Sequence, residues 1–182
     1  QDLLNQDQVG AFAKLRQVVT EDYENVDAYL RLGQILRENK KPDRALQVHK
    51  DLTLRTGLTA EEKASVLHEL TEDYIAMKDN DMAEAALREL ISVDKSNRWA
   101  NIRLLKIQET TQKWDEAFES ATRILKLENN KSKKPLAHYK YQQGSRLYRQ
   151  REYHKARILF KEAIGLDPVY VPAFLSIGDS YA

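Results

Sequence analysis

The sequence predicts an all-α fold in which antiparallel helical hairpins follow one another along the chain. Three observations lead to this prediction. Small residues recur at nearly constant spacing, apolar residues follow them with helical periodicity, and no segment alternates apolar and polar residues as a half-buried strand would. Hydrophobic residues make up 42% of the 182 residues and charged residues 31%, a balance that suits helices burying one face each.

The recurring small residue is an alanine that follows a turn and opens a helix. Its spacings along the chain are 34, 38, 34 and 39 residues. Its five positions are Ala11, Ala45, Ala83, Ala117 and Ala156. Residues four and seven positions further on continue an apolar stripe typical of a helix with one buried face. A small side chain is expected here because two helix backbones approach closely.

A second small position lies twelve residues before the alanine, on the preceding helix. Gly33 and Gly144 occupy it in two repeats, whereas Thr71 and Leu105 occupy it in the other two. Each repeat is therefore predicted to be a pair of helices. Because a period of 34 residues is typical of tetratricopeptide repeats, we expect a right-handed solenoid of about five such repeats, incomplete at both ends.

The repeat register predicts the position of each helix in order. The helices are expected near residues 9–21, 26–38, 43–56, 60–78, 81–93, 97–111, 115–128, 135–150, 154–165 and 170–182. Thr59 is a predicted N-cap, Pro168 ends one helix, and Pro172 suits the first turn of the last. The two longer spacings place loop insertions of four residues around 56–59 and of five within 129–134.

The chain is predicted to be one solenoid over residues 1–182. A partial repeat covers 1–25, full repeats lie near 26–59, 60–97, 98–134 and 135–170, and a partial repeat covers 171–182. Since stacked repeats need polar caps, the open repeat ends predict a homodimer.

Charge is distributed unevenly along the chain, although the formal net charge is only +1. Residues 1–122 hold 17 Lys and Arg against 23 Asp and Glu, whereas residues 123–161 hold 12 against 2. Such a basic region suits phosphate, anionic lipid headgroups or an acidic protein surface, and the plainer interpretation is a solvated face with clustered lysines. An RNA-binding helical repeat is a further alternative, but the acidic first two thirds do not favour a continuous basic groove, so no nucleic-acid partner is expected.

The residues that catalysis or metal binding would need do not converge in the sequence. There is no cysteine, and the four histidines, His49, His68, His138 and His154, lie in different predicted helices. His49 is expected in the core. We therefore expect no enzyme activity, no catalytic residue, no cofactor and no metal, although a regulatory segment of a larger enzyme would look the same. No apolar run approaches the roughly 18 residues that span a bilayer, and a cytoplasmic location is expected.

A binding surface is the remaining functional prediction. In tetratricopeptide arrays the first helices line the concave groove, and basic or aromatic side chains there suit a peptide carboxylate or acidic side chains. Plain solvated helix surface is the alternative for each position. The predicted groove residues are Arg37, His68, Glu72, Ile102, Arg103, Lys106, Tyr141, Tyr148 and Arg149.

Several segments carry a more specific resemblance. They are the runs 29–37, 42–52, 57–59, 69–74 and 82–84. In order and spacing these resemble the bacterial lipopolysaccharide assembly protein B family, most strongly over residues 26–92. The segments 114–117 and 137–139 are similar to the same family.

The resemblance implies a function that the repeats alone do not indicate. Proteins of that family act as adaptors at the inner membrane, coupling an AAA-type protease to the deacetylase that commits lipid A synthesis. They also carry an N-terminal membrane anchor and a cysteine-built, rubredoxin-like metal knuckle. Because this chain lacks the anchor and all cysteines, no metal role is implied, and a membrane would be reached only through a segment outside it. The expectation is a non-catalytic adaptor that regulates lipopolysaccharide biosynthesis by linking an envelope-lipid enzyme to a membrane protease.

Overall fold

The computed structural model describes residues 24–181, together with Gly10 and Gln17, and every regular element within 24–181 is helical. The α-helices of this range are α1 (Val26–Glu38), α2 (Pro42–Thr53), α3 (Ala60–Ala76), α4 (Asn80–Val93), α5 (Arg98–Thr110), α6 (Trp114–Leu127), α7 (Ala137–Arg149), α8 (Tyr153–Leu166) and α9 (Val171–Asp179), with a 3-10 turn at Lys134–Leu136. The helix predicted near 9–21 and most of the partial repeat 1–25 lie outside the described residues.

The other predicted helices are all present, with ends that agree within three residues. The largest differences are at the ends of α2 and α9. α2 ends at Thr53 rather than 56, because Leu54 N–H and Arg55 N–H donate to the Asp51 and Leu52 carbonyls and turn the chain into the four-residue insertion. Thr59 caps α3 as predicted, since its side chain accepts from Glu62 N–H in a reciprocal capping box.

The described residues form two compact units, which divide after Ala100. In the first unit α1 packs against α2 and α3 against α4, and α2 also packs against α3. In the second unit α6 packs against α7, α7 against α8, and α8 against α9. Each unit is thus built from helical hairpins.

The predicted close approach at the alanines is confirmed. Ala45, Ala83, Ala117 and Ala156 have no exposed surface. In the α7–α8 hairpin a Cβ atom on Gly144 would lie 2.7 Å from Cε1 of Phe160, so only glycine fits beneath that ring.

In the repeat that has leucine at the second small position, the large residue lies on the first helix and the small residue lies on the second, the reverse of the usual order. Leu105 stands where Gly144 stands in the next repeat, and Ala121 stands where Phe160 does. Leu105 packs against the cluster that contains Ala117 and Ala121. The departure from the motif is therefore compensated by a small residue on the facing helix.

The turns inside the hairpins depend on a left-handed residue that the sequence patterns did not indicate. Lys40, Lys78, Gln112 and Arg151 have φ of 59°, 62°, 57° and 64°, and each lies five residues before an alanine. The N–H of the following residue returns to the helix, as Asp79 N–H does to the Tyr74 carbonyl at 2.9 Å. This is the Schellman arrangement, in which glycine is usual.

Candidate protein-binding surfaces

A buried polar network joins the first three helices. The Asp73 carboxylate on α3 has no exposed surface, and its two oxygens contact His49 Nδ1 at 2.5 Å and Arg37 Nη1 at 2.6 Å. The second ring nitrogen of His49 lies 3.2 Å from the Leu30 carbonyl oxygen. His49 is fully buried, as predicted. A buried charge is tolerated here because each of its oxygens has a polar partner.

Arg37, predicted to line the groove, is held inside this network. Its guanidinium also donates to Glu69 Oε2 at 2.6 Å, while Gln34 donates to Glu69 Oε1 at 2.7 Å. Burial by itself lowers the pKa of Arg37, but the bonds to Glu69 and Asp73 outweigh burial and raise it. Burial likewise raises the pKa of Glu69, and the bonds from Arg37 and Gln34 outweigh it and hold that pKa below its usual value. A carboxylate of a binding partner would therefore have to compete for Arg37 with the carboxylates of Glu69 and Asp73.

The other predicted residues of the first unit lie one helical turn apart on α3. His68 is half-buried, and its ring stacks on Trp99 with centroids 3.8 Å apart and planes inclined by 16°. Glu72 is also half-buried. Because residues at i and i+4 share a face, His68 and Glu72 belong to one surface of α3.

On α5 the second unit exposes an apolar and a cationic side chain. Ile102 is 39% exposed, and the Lys106 side chain is 72% exposed with Nζ 3.9 Å from Glu109 Oε2. Glu109 Oε1 in turn accepts from the Tyr139 hydroxyl of α7 at 2.8 Å. Burial, and then this bond, raise the pKa of Tyr139, so its phenol remains a donor at neutral pH. Arg103, the third residue predicted on α5, is half-buried.

On α7 the predicted aromatic residues contribute mostly to packing. Tyr141 lies with its ring centroid 5.6 Å from those of Phe160 and Tyr170, and Tyr148 lies 5.1 Å from Tyr153. Arg149 is exposed, and its Nε–H donates to the Ser145 carbonyl at 3.3 Å. Of the nine predicted groove residues, three are exposed to solvent, namely Ile102, Lys106 and Arg149.

Glu69 and Asp73 were not indicated as site residues by the repeat pattern. Both are acidic, four residues apart on α3, and the register places them on one face of that helix. That spacing is the signal that could have indicated partners for Arg37.

The first unit also contains a cleft of about 760 Å³ between α2, α3 and α4. Apolar side chains such as Leu67 and Leu70 line it, and Gly57 and Leu58 of the four-residue insertion form part of its wall. An ion pair between Lys63 Nζ and Glu89 Oε1, 3.0 Å apart, joins α3 to α4 at the cleft. The longer loop therefore helps to form a surface that a 34-residue repeat would lack.

Neither a metal site nor a membrane span is found in the part of the chain that the structure describes. No group of three or more His, Cys, Asp and Glu residues there could hold a metal ion. None of the helices described is long and apolar enough to cross a bilayer.

Comparison with protein families recognises the predicted repeat, because a family model of the tetratricopeptide repeat matches residues 10–52. Two similar solved structures support the same fold. MamA has a TM-score of 0.59 at 18% identity, covering 91% of this chain and 85% of that one. YrrB, described as a tetratricopeptide-repeat protein with an unusual peptide-binding site, has a TM-score of 0.57 at 14% identity, covering 96% and 87%. At these identities the likeness concerns the fold alone.

The chain is therefore a tetratricopeptide-repeat protein, and the predicted fold class is confirmed. Among curated proteins it resembles lipopolysaccharide assembly protein B of Escherichia coli K12, with 31% identity over 137 residues. That match covers 75% of this chain and 35% of the relative. The chain thus spans about a third of the length of the curated relative that it matches.

Proposed function

We propose that this chain is a non-catalytic protein-binding scaffold whose first helices hold a protein or peptide partner. The observation that carries the proposal is the 31% identity with lipopolysaccharide assembly protein B within a tetratricopeptide-repeat fold. The exposure of Lys106 and Arg149, which leaves two cations open to a partner, supports it. The proposed contact residues are Arg37, His68, Glu72, Ile102, Arg103, Lys106, Tyr141, Tyr148 and Arg149.

The proposal extends to the pathway named by the relative. We propose that the chain regulates lipopolysaccharide biosynthesis by linking an envelope-lipid enzyme to a membrane protease, on the cytoplasmic side of the inner membrane. The relative's name and the sequence match support the connection with lipopolysaccharide assembly. The enzyme and the protease are what the family resemblance implies.

Affinity capture tests both levels of the proposal. The chain is immobilised, exposed to detergent-solubilised membranes of the cells that produce it, and the bound proteins are identified by mass spectrometry. Recovery of a membrane protease together with an envelope-lipid enzyme is expected, and Lys106→Glu with Arg149→Glu should reduce it at least tenfold. Arg44→Glu with Lys161→Glu reverses two exposed cations on second helices and is the matched control.

The outcomes separate the two levels. If other proteins are captured instead, and reversing the charges of Lys106 and Arg149 abolishes their capture, the scaffold proposal stands and the pathway proposal fails. If both double variants capture equally, the proposal that the first helices form the binding surface is contradicted.

We also propose that residues 1–182 form one repeat array and that two copies associate through α9. α9 exposes Phe174 and Leu175, which supports this helix as the contact. Sedimentation equilibrium should give a dimer that Leu175→Glu converts to monomer. A monomer at all concentrations would contradict it.

A further inference from the structure

The C-terminal end of α6 and the turn that follows it carry a group of lysines that the proposed function does not use. We call this group the lysine edge. Its members are Lys126, Lys131, Lys133 and Lys134, and all four are exposed. None of them forms an ion pair with another residue of the described range 24–181. In the turn after α6, Ser132 N–H donates to Asn130 Oδ1 at 2.9 Å.

The lysine edge lies beside the turn between α8 and α9. His138, next to the start of α7, has Nδ1 3.2 Å from the Tyr170 hydroxyl. Leu166, at the end of α8, packs against the cluster that contains Leu136. Val169 and Val171, on either side of Tyr170, are 72% and 61% exposed. Two adjacent turns of the second unit therefore carry exposed cationic and aliphatic side chains.

We infer that this side of the molecule rests on an anionic lipid bilayer, with the lysines facing the headgroups and the two valines entering the interface. Basic residues near an anionic membrane are attracted to it without a fixed partner, and exposed aliphatic side chains gain further when they leave water for the bilayer interface.

The composition of the edge favours a bilayer over RNA or an acidic peptide. All four cations are lysines, whose ammonium is a compact point charge, whereas the arginine fork is the group that holds a particular phosphate or carboxylate bidentately. The aromatic residue of the adjacent turn, Tyr170, is hydrogen-bonded to His138 and only partly exposed, which does not suit base stacking. Glu128 lies among the lysines in the sequence and Asp167 lies in the adjacent turn, and both reduce the local charge, so binding should be weak and should require abundant anionic lipid.

Vesicle co-sedimentation of the 182-residue chain tests the inference. The probes are vesicles of phosphatidylcholine alone and of phosphatidylcholine with 40% phosphatidylglycerol. The chain should sediment with the anionic vesicles only, and Lys131→Gln, Lys133→Gln and Lys134→Gln together should lower the partition coefficient about 100-fold. Val169→Ser with Val171→Ser should reduce the binding that remains in high salt.

The control is a second triple variant, Lys40→Gln, Lys41→Gln and Lys78→Gln, which removes three exposed lysines from other turns. Glutamine is compatible with the positive φ of Lys40 and Lys78 because Gln112 already adopts it. This variant should bind anionic vesicles like the unmodified chain. Equal loss in both triple variants, or no preference for anionic vesicles, would overturn the inference. Failure on vesicles combined with lysine-dependent capture on polyglutamate would overturn it in favour of an acidic protein surface.

Discussion

A Cβ atom on Gly33 would lie 2.1 Å from Nε2 of His49, far inside any allowed contact. The imidazole of α2 therefore occupies the space that the missing side chain of α1 leaves open. The same relationship links Gly144 and Phe160 in the second unit. The small position of one helix and the residue four places after the alanine of the next helix are thus a matched pair.

Gly33→Ala should destabilise the first unit by about 1–3 kcal/mol, because His49 is fixed between the Leu30 carbonyl and Asp73 and has little room to move. Urea unfolding followed by circular dichroism measures the change. Gly165→Ala is the control, since nothing lies within 4 Å of that Cβ position, and helix propensity predicts a gain of about 0.5–1 kcal/mol there. If the two substitutions change the free energy of unfolding equally, the His49 ring must move aside to make room for the new methyl group.

Acid should weaken the first unit through Glu69. Its pKa in the folded chain is below the ordinary 4.5, so the unfolded chain takes up a proton first as the pH falls. The stabilisation is therefore complete above about pH 4.5 and is lost as the pH falls through the lower, folded value. Free energies of unfolding from about pH 7 to about pH 3 should fall less for Glu69→Gln than for the unmodified chain. Parallel curves would show that the bonds to Arg37 and Gln34 do not stabilise the charged form.

Lys78→Gly should stabilise the α3–α4 hairpin by about 1 kcal/mol, because a residue with a Cβ atom is disfavoured at a φ of 62°. The measurement is the shift in urea midpoint at unchanged slope. Lys78→Ala keeps the Cβ atom and removes the charge, so it should give little or no gain. If alanine stabilises as much as glycine, charge rather than backbone strain is responsible.

Gln108→Leu should stabilise the second unit by about 1–3 kcal/mol. The side chain of Gln108 has no exposed surface, and neither its Nε2 nor its Oε1 has a hydrogen-bond partner in the described part of the chain. Leu36 and Leu147 occupy the same register position, nine residues before the alanine, in two other repeats. Thermal unfolding measures the gain.

Gln143 provides the comparison for Gln108. It is also buried, but its Nε2 donates to the Trp114 carbonyl at 3.3 Å, so Gln143→Leu should lose stability rather than gain it. A loss for Gln108→Leu as well would mean that its amide has a stabilising role.

The repeat pattern predicted the helices well because it reflects packing that every hairpin shares. The alanines and the i, i+4, i+7 stripes report a buried face directly, and Thr59 carries its capping chemistry in the local sequence. The turns were less visible, since a lysine or arginine in the left-handed region leaves no mark that distinguishes it from a helical one. The predicted groove residues remain predictions as binding residues. What the structure adds is that Arg37 already has two internal carboxylate partners.

The sequence by itself determined the all-α class, the helix order and the close approach of paired helices, because periodicity and residue size are properties of the chain read one hairpin at a time. Only the tertiary structure decided that His49, Asp73 and Arg37 meet and that Leu105 is balanced by Ala121. It also decided that the Gln108 side-chain amide is buried with no partner among the described residues. These features depend on which side chains of separate helices face one another. The residues next to a charged side chain or a glutamine in the sequence do not indicate which distant residue it will contact.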